Sequence, residues 1–184
     1  MTTTYIIFGI IGFIIIAFIA IYNALIRRRN RAEEAWSDIE VQMKRRYDLI
    51  PNVVETVKGY AAHEKNVLES VTNARTQAIA AKNPQEQLQA ENALSSTLKT
   101  LFAVAENYPD LKANANFLDL QRELADTENK IQSARRFYNT VVRDLNTMIQ
   151  SFPPNVIAGM FGFTKKEFFG LDEDAARQPV KVSF

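Results

Sequence analysis

His63 is the single histidine of this 184-residue chain, and Glu64 beside it raises the question of a metal site. A zinc-protease motif of the form HExxH needs a second histidine four residues after the first, and Val67 occupies that position. Adjacent residues on a helix do not face each other, so the two side chains do not converge on one ion. We therefore predict no metal and no cofactor, and we interpret His63 as a polar surface residue.

The residues needed for nucleophilic catalysis are also unfavourably placed. The chain contains no cysteine, which excludes thiolate nucleophiles and disulfide bonds. Ser70, Ser95 and Ser96 lack the glycine-flanked elbow of a catalytic serine, and the sequence has no glycine-rich phosphate loop. Carboxylate pairs that meet only in space stay open, because spacing along a chain cannot reveal them. The prediction is a protein that is not an enzyme.

A third group of polar residues has a spacing that could bring its members together. Its members are Glu128, Asn129, Arg135, Arg136 and Asn139. Glu128 and Arg135 are seven residues apart, which is two turns along one helix face. One interpretation is a solvated face with ion pairs that each contribute a few tenths of a kcal/mol. The other is a contact layer that fixes helix register or subunit pairing.

The helix that must position this group has the clearest pattern in the chain. Apolar residues recur three and four apart from Phe117 to Phe152, at Leu120, Leu124, Thr127, Ile131, Ala134, Tyr138, Val141, Leu145 and Met148. This heptad spacing predicts a left-handed packing seam on one long helix, which needs long partners. We predict an all-α fold, an antiparallel bundle of three long helices and one shorter helix.

Prolines divide the rest of this bundle, and Asn83-Pro84 separates two predicted helices, at about 51–81 and 85–107. Asp48 could cap a new helix with Pro51 in its first turn. This places Arg45 and Arg46 in a hairpin, where we interpret them as capping and loop-ordering residues.

The N-terminal segment predicts a membrane anchor. Residues 5–26 are apolar apart from Asn23 and would cover about 30 Å as a helix, the thickness of a bilayer core. A cleaved signal peptide would instead have a shorter apolar run preceded by basic residues. Four arginines follow the run and predict a cytoplasmic C-terminal side, as topology determinants that also contact lipid headgroups: Arg27, Arg28, Arg29 and Arg31. Residues 1–4 form a short tail before the span.

The bundle is predicted over residues 27–152, and a phenylalanine-rich segment follows at 153–171. Its candidate packing or interface residues are Phe161, Phe163, Phe168 and Phe169. The segment either folds back to close the bundle or forms an exposed patch for another subunit or the membrane surface. Residues 172–184 read as a polar tail.

The charge distribution argues against nucleic acid as a partner. All 21 acidic residues lie beyond Arg31, against 18 of the 22 basic ones. A mildly acidic body is a poor phosphate binder, because phosphate affinity depends on clustered lysine and arginine.

Short motifs run in order from Tyr22 to Phe169: Tyr22-Asn23, Arg45-Arg46-Tyr47-Asp48, Val57-Lys58-Gly59-Tyr60, Tyr108-Pro109-Asp110-Leu111, Thr127-Glu128-Asn129, Ala134-Arg135-Arg136-Phe137-Tyr138-Asn139 and Phe161-Gly162-Phe163. In this order they resemble the LemA family. Many LemA proteins have Arg-His-Asp where this chain has Arg46-Tyr47-Asp48, so no imidazole is available there.

The resemblance implies a single-pass protein of the bacterial inner membrane with a helical-bundle domain and no established enzyme activity. One family member is associated with magnetosome membrane formation, and others are encoded near a membrane metalloprotease. Our leading hypothesis is a non-enzymatic scaffold that self-associates, as a ring or cup, and organises or shapes the membrane. The alternatives are an adaptor for a membrane protease or envelope-stress system, and an enzyme that uses a metal or small molecule.

Overall fold

A computed structural model describes residues 2–170, and every regular element in that range is a helix. The elements are α1 (Thr2–Tyr60), α2 (Lys65–Ala80), α3 (Pro84–Ala105), α4 (Pro109–Lys112), α5 (Ala115–Gln150) and α6 (Pro154–Met160). The prediction of an all-α chain is confirmed for this range. The predicted polar tail at 172–184 lies outside the described residues.

The described residues divide into two compact units. The first unit comprises residues 2–37 and 136–168, and the second comprises residues 38–135 and 169–170. α1 and α5 each contribute one segment to the first unit and another segment to the second. The antiparallel arrangement of long helices stays a prediction.

Pro51 lies in the interior of α1, so the predicted helix break between Asp48 and Pro51 is wrong. Proline has no N–H, and its place in a helix leaves the carbonyl four residues earlier without a partner. That carbonyl belongs to Tyr47, and Arg75 of α2 donates to it through Nε at 2.7 Å. α1 can continue through the proline because another helix supplies the missing donor.

The predicted hairpin beside Arg45 and Arg46 is therefore also wrong, since both residues lie within α1. The turn that ends α1 lies at residues 61–64. His63 is exposed in this turn, and Glu64 accepts a hydrogen bond from the Tyr108 hydroxyl at 2.9 Å. The argument that adjacent helical residues cannot bind one ion does not apply to His63 and Glu64, because they lie in a turn. The interpretation of His63 as a surface residue is confirmed by its exposure.

The heptad positions of α5 mark its packed face. Seven of them are buried: Phe117, Leu124, Thr127, Ile131, Tyr138, Val141 and Leu145. Phe152 is 83% exposed, because α5 ends at Gln150 and the stripe does not continue beyond it. A coiled coil stays a prediction.

Within the first unit, a glycine turn ends α6. Gly162 has a φ of +69°, and the Phe163 N–H donates to the Ala158 carbonyl at 2.9 Å, which is the pattern of a Schellman cap. Asn146 of α5 then holds the following residues. Its amide donates to the Lys166 carbonyl at 2.8 Å, and its side-chain oxygen accepts from the Lys166 N–H at 3.0 Å.

We expect Arg75→Met to lower the free energy of unfolding by about 1–3 kcal/mol, because it leaves the Tyr47 carbonyl without a donor. In a Pro51→Ala background the same change should cost less, since alanine restores the helical N–H. The measurement is urea unfolding of the detergent-solubilised chain, followed by far-UV circular dichroism. Arg122→Met, at an exposed side chain, is the control. Equal losses from Arg75→Met in both backgrounds would contradict this role.

Candidate functional site

The most unusual site in the second unit is centred on Arg46, a guanidinium that is 1% exposed. It forms ion pairs with Glu91 of α3 and Glu128 of α5, and it donates to the Ser95 hydroxyl at 3.1 Å. An unpaired buried charge is strongly unfavourable, so these partners offset the cost of burying Arg46. One side chain of α1 thereby contacts two other helices.

The α3 side of this network lies on one helix face, because Gln87, Glu91 and Ser95 are spaced four apart. Glu91, which is 1% exposed, accepts from the Tyr47 hydroxyl and from Gln87 Nε2, the latter at 2.9 Å. Gln87 Nε2 also lies 2.9 Å from the Tyr47 hydroxyl oxygen. Arg46 and Tyr47, adjacent on α1, thus both bind the same carboxylate.

Burial shapes the ionisation of this network. It lowers the pKa of the Arg46 guanidinium, and the Glu128 carboxylate opposes that effect. Burial raises the pKa of the Tyr47 phenol, which the Arg46 charge opposes. Tyr47 therefore stays a neutral donor to Glu91 at physiological pH.

Arg135 adds a second cation near the network. Burial lowers its pKa, and Glu128 opposes the shift. Its guanidinium carbon lies 4.7 Å from the centroid of the Phe169 ring, a cation–π contact. Arg46 and Arg135 together balance the two carboxylates of Glu91 and Glu128.

The five polar residues singled out in the sequence have different environments. Glu128 belongs to the buried network, and Arg135 is partly buried against Phe169. Asn129 and Arg136 are exposed on α5, and Asn139 is partly buried. Glu128 pairs with Arg46 on another helix of the same chain, and the register and subunit-contact interpretations of the five residues stay predictions.

The arginines that follow the apolar segment all belong to the first unit. Arg27, Arg28 and Arg31 line a cavity of about 450 Å³ with Val141 and Asp144. Arg28 also forms an exposed ion pair with Asp144, at 3.9 Å.

Aromatic rings contact two of these arginines. Arg31 lies 5.6 Å from the centroid of the Phe137 ring, and Arg29 lies 5.6 Å from that of Phe163. Arg29 also pairs with Glu33 at 3.9 Å.

The four phenylalanines of the C-terminal segment separate into two groups. Phe161 and Phe163 belong to the first unit, where their rings pack against Tyr22 at 4.7 and 6.2 Å between centroids. In the second unit Phe169 is buried beneath Arg135. Phe168 is at the margin of exposure, at 37%.

Sequence reasoning missed the centre of the network. Arg46 was assigned to a hairpin, and neither Glu91 nor Gln87 was singled out. The sequence holds one cue for Glu91, because Leu94, three residues later, lies on the packed side of α3. A single charged residue in a helical pattern does not show whether it is buried or exposed, so this cue alone does not identify Glu91.

Chemically, the network is a set of charges that satisfy each other. An open groove of about 300 Å³ beside Arg46 and Glu128 is lined mainly by Leu98, Phe102 and Leu124 with neighbouring polar residues. Among residues 2–170, no group of three or more metal-ligating side chains that could hold an ion occurs. The arrangement is suited to fixing the register of three helices.

Over residues 2–170 the fold defines a class of protein, an all-helical one with a long apolar N-terminal helix. Residues 35–184 match the profile of the LemA family, and this chain belongs to the LemA family.

Relatives extend this comparison. The chain is 25% identical over 185 residues to Magnetosome protein MamQ 2 of Paramagnetospirillum magneticum, covering 84% of this chain and 68% of the relative. It is 28% identical over 152 residues to Protein LemA of Metamycoplasma hominis, covering 80% and 68%. For Magnetosome protein MamQ of Magnetospirillum gryphiswaldense the identity is 24% over 174 residues, covering 80% and 64%.

We expect Arg46→Met to destabilise the chain by about 3–5 kcal/mol, because it leaves Glu91 charged and buried without its counter-ion. The double variant Arg46→Met/Glu91→Leu should recover much of that loss, since apolar residues can replace a buried pair. Arg45→Met is the matched control, because the neighbouring Arg45–Glu123 pair is exposed and should matter little. Urea unfolding of the detergent-solubilised chain measures all three. A double variant no more stable than Arg46→Met would contradict this account.

Proposed function

We propose that this chain is a non-enzymatic, single-pass membrane protein whose helical body self-associates and organises the bacterial membrane. The observation that carries the proposal is the surface of α1 between Tyr5 and Ile19. Apart from the partly buried Phe18, its large apolar side chains are 48–73% exposed. A contiguous apolar surface of this size is unfavourable in water and favourable in lipid.

The length of this surface fits a bilayer. Residues 5–26 would extend about 30 Å along α1 at a rise of ~1.5 Å per residue, the hydrocarbon thickness of a membrane. α1 is the one helix among the described residues that is long and apolar enough to cross a membrane. Family membership and the names of relatives, which include magnetosome proteins, support membrane association.

The orientation follows from the arginines after the apolar segment. Basic residues flanking a span favour the cytoplasmic side, so the helical body, which follows these arginines, would lie on the cytoplasmic side of the inner membrane. Lipid headgroups are then the direct partners of this region.

Self-association is the finer part of the proposal. Asn129 and Arg136 are both exposed on α5. Exposed polar residues of a long helix are suited to a repeated subunit contact. Head-to-tail contacts of this kind close into rings or cups.

Mass photometry of the detergent-extracted chain tests self-association, and we expect particles of several subunits. Asn129→Ala and Arg136→Ala, made separately, should shift the distribution toward smaller particles, because each removes part of the contact. Lys130→Ala, beside Asn129 in an exposed pair with Asp126, is the control. A monomer at high concentration would contradict the scaffold. Recovery of a membrane protease after mild crosslinking, without other copies of this chain, would favour the adaptor alternative.

Cysteine accessibility tests the orientation, because the natural chain has no cysteine to interfere. In intact cells, a membrane-impermeant maleimide should label Thr3→Cys, which precedes the span. Ser96→Cys, on an exposed position of α3, should react only after the cells are lysed. The reverse pattern would place the helical body outside the cytoplasm.

A further inference from the structure

The segment around α6 exposes a second apolar surface, separate from that of residues 5–19. Val156 and Met160, four apart on one side of α6, are 53% and 68% exposed, and Phe152 in the turn before α6 is 83% exposed. Single exposed apolar residues are common on soluble proteins, but a cluster of this kind marks an interaction site.

The opposite side of α6 is covered by the apolar part of α1. Ile157 and Ala158 are buried against Leu25, and Phe18 and Ile21 pack beside them. α6 therefore packs beside the last two turns of the predicted span, and its exposed side faces away from α1.

Aromatic packing holds α6 at this level of the helix. The Phe161 ring lies 6.0 Å from Phe18 and 4.7 Å from Tyr22, measured between centroids. Phe18 and Tyr22 are one turn apart, so a single ring spans a full turn of α1.

The change from apolar to polar sequence occurs at the same level in both segments. On α1 it falls between Ile26 and Arg27, and in the C-terminal segment it falls after Phe163. The guanidinium of Arg29 lies 5.6 Å from the Phe163 ring centroid, beyond that change on α1.

Charged residues that lie beyond both changes also meet. Lys166 Nζ lies 3.5 Å from Glu33 Oε1, and the Asn146 side chain holds the Lys166 backbone in place. Two stretches of chain thus share one boundary between apolar and charged surface, which is the property of a protein seated at a bilayer interface.

We propose that α6 and the preceding Phe152 form a second membrane contact, inserted into the interfacial layer of the leaflet beside Arg27–Arg31. The inference rests on the proposed span of α1. Lipid is the occupant because α6 packs directly on Phe18, Ile21 and Leu25, which lie within the proposed span. The charged residues beyond Phe163, including the exposed Lys165, would lie at the headgroups.

Depth-dependent quenching in vesicles tests this contact on the full chain. The absence of native cysteine allows one environment-sensitive dye to be attached at Val156→Cys or Met160→Cys. Ile14→Cys reports on the middle of the span, and Val41→Cys is the control, an exposed apolar position in the second unit. The vesicles contain phosphatidylcholine and phosphatidylglycerol, with nitroxide lipids labelled near the headgroup or near the chain end, and iodide is present on both sides.

We expect a blue shift of the Met160 and Val156 probes and their strongest loss of fluorescence with the headgroup-proximal nitroxide. The Ile14 probe should respond most to the deep nitroxide, and the Val41 probe only to iodide. A Met160 probe quenched by iodide as strongly as Val41 would overturn the contact while leaving the span intact. A Met160 probe shielded from both iodide and lipid would overturn it in favour of a second copy. An Ile14 probe that no lipid quencher reaches would overturn the span and the contact together.

Discussion

The helices of the second unit must supply partners for one buried charge, because water does not reach it. Arg46 is buried among helices, and its guanidinium cannot lose its charge at physiological pH. Two carboxylates and a hydroxyl therefore converge on it, from α3 and α5. Because such partners must lie within hydrogen-bond distance, a shift of any one of these helices by a turn would leave a charge unpaired. Buried pairs contribute little net stability compared with apolar packing, and we expect the Arg46 network to act mainly by disfavouring other registers of these helices.

A second compensation acts on the next residue of the same helix. Pro51 removes the donor for the Tyr47 carbonyl, and Arg75 of α2 replaces it. The side chain of Tyr47 meanwhile donates to Glu91. Residues 46 and 47 therefore bind α2, α3 and α5, so one short stretch of α1 is the point at which the helices of this unit are ordered. In both cases a polar group that would be unfavourable if buried alone, the Arg46 guanidinium or the Tyr47 carbonyl, binds a specific partner on another helix.

In the first unit, apolar packing rather than a buried charge determines how the helices are arranged. Leu25, Ile157 and Ala158 form a small core, and aromatic rings extend it along α1. Charged residues near this core pair with each other, and Arg28 donates to the backbone carbonyl of Asp144. A common boundary between apolar and charged surface results, and the proposed membrane contacts of α1 and α6 both derive from it.

The sequence by itself determined the features that depend on local pattern. The all-α class, the apolar segment of residues 5–26, the packed stripe of α5 and the helix start at Pro84 follow from composition, periodicity and capping, which act over a few residues. Only the tertiary structure decided that α1 continues through Pro51, because the donor that compensates for the proline is Arg75, 28 residues after the Tyr47 carbonyl that it binds. It also decided which charges are buried, since Arg46 resembles the exposed Arg45 in every local respect. For Arg46 the difference is the presence of Glu91 and Glu128, and only folding brings them to it.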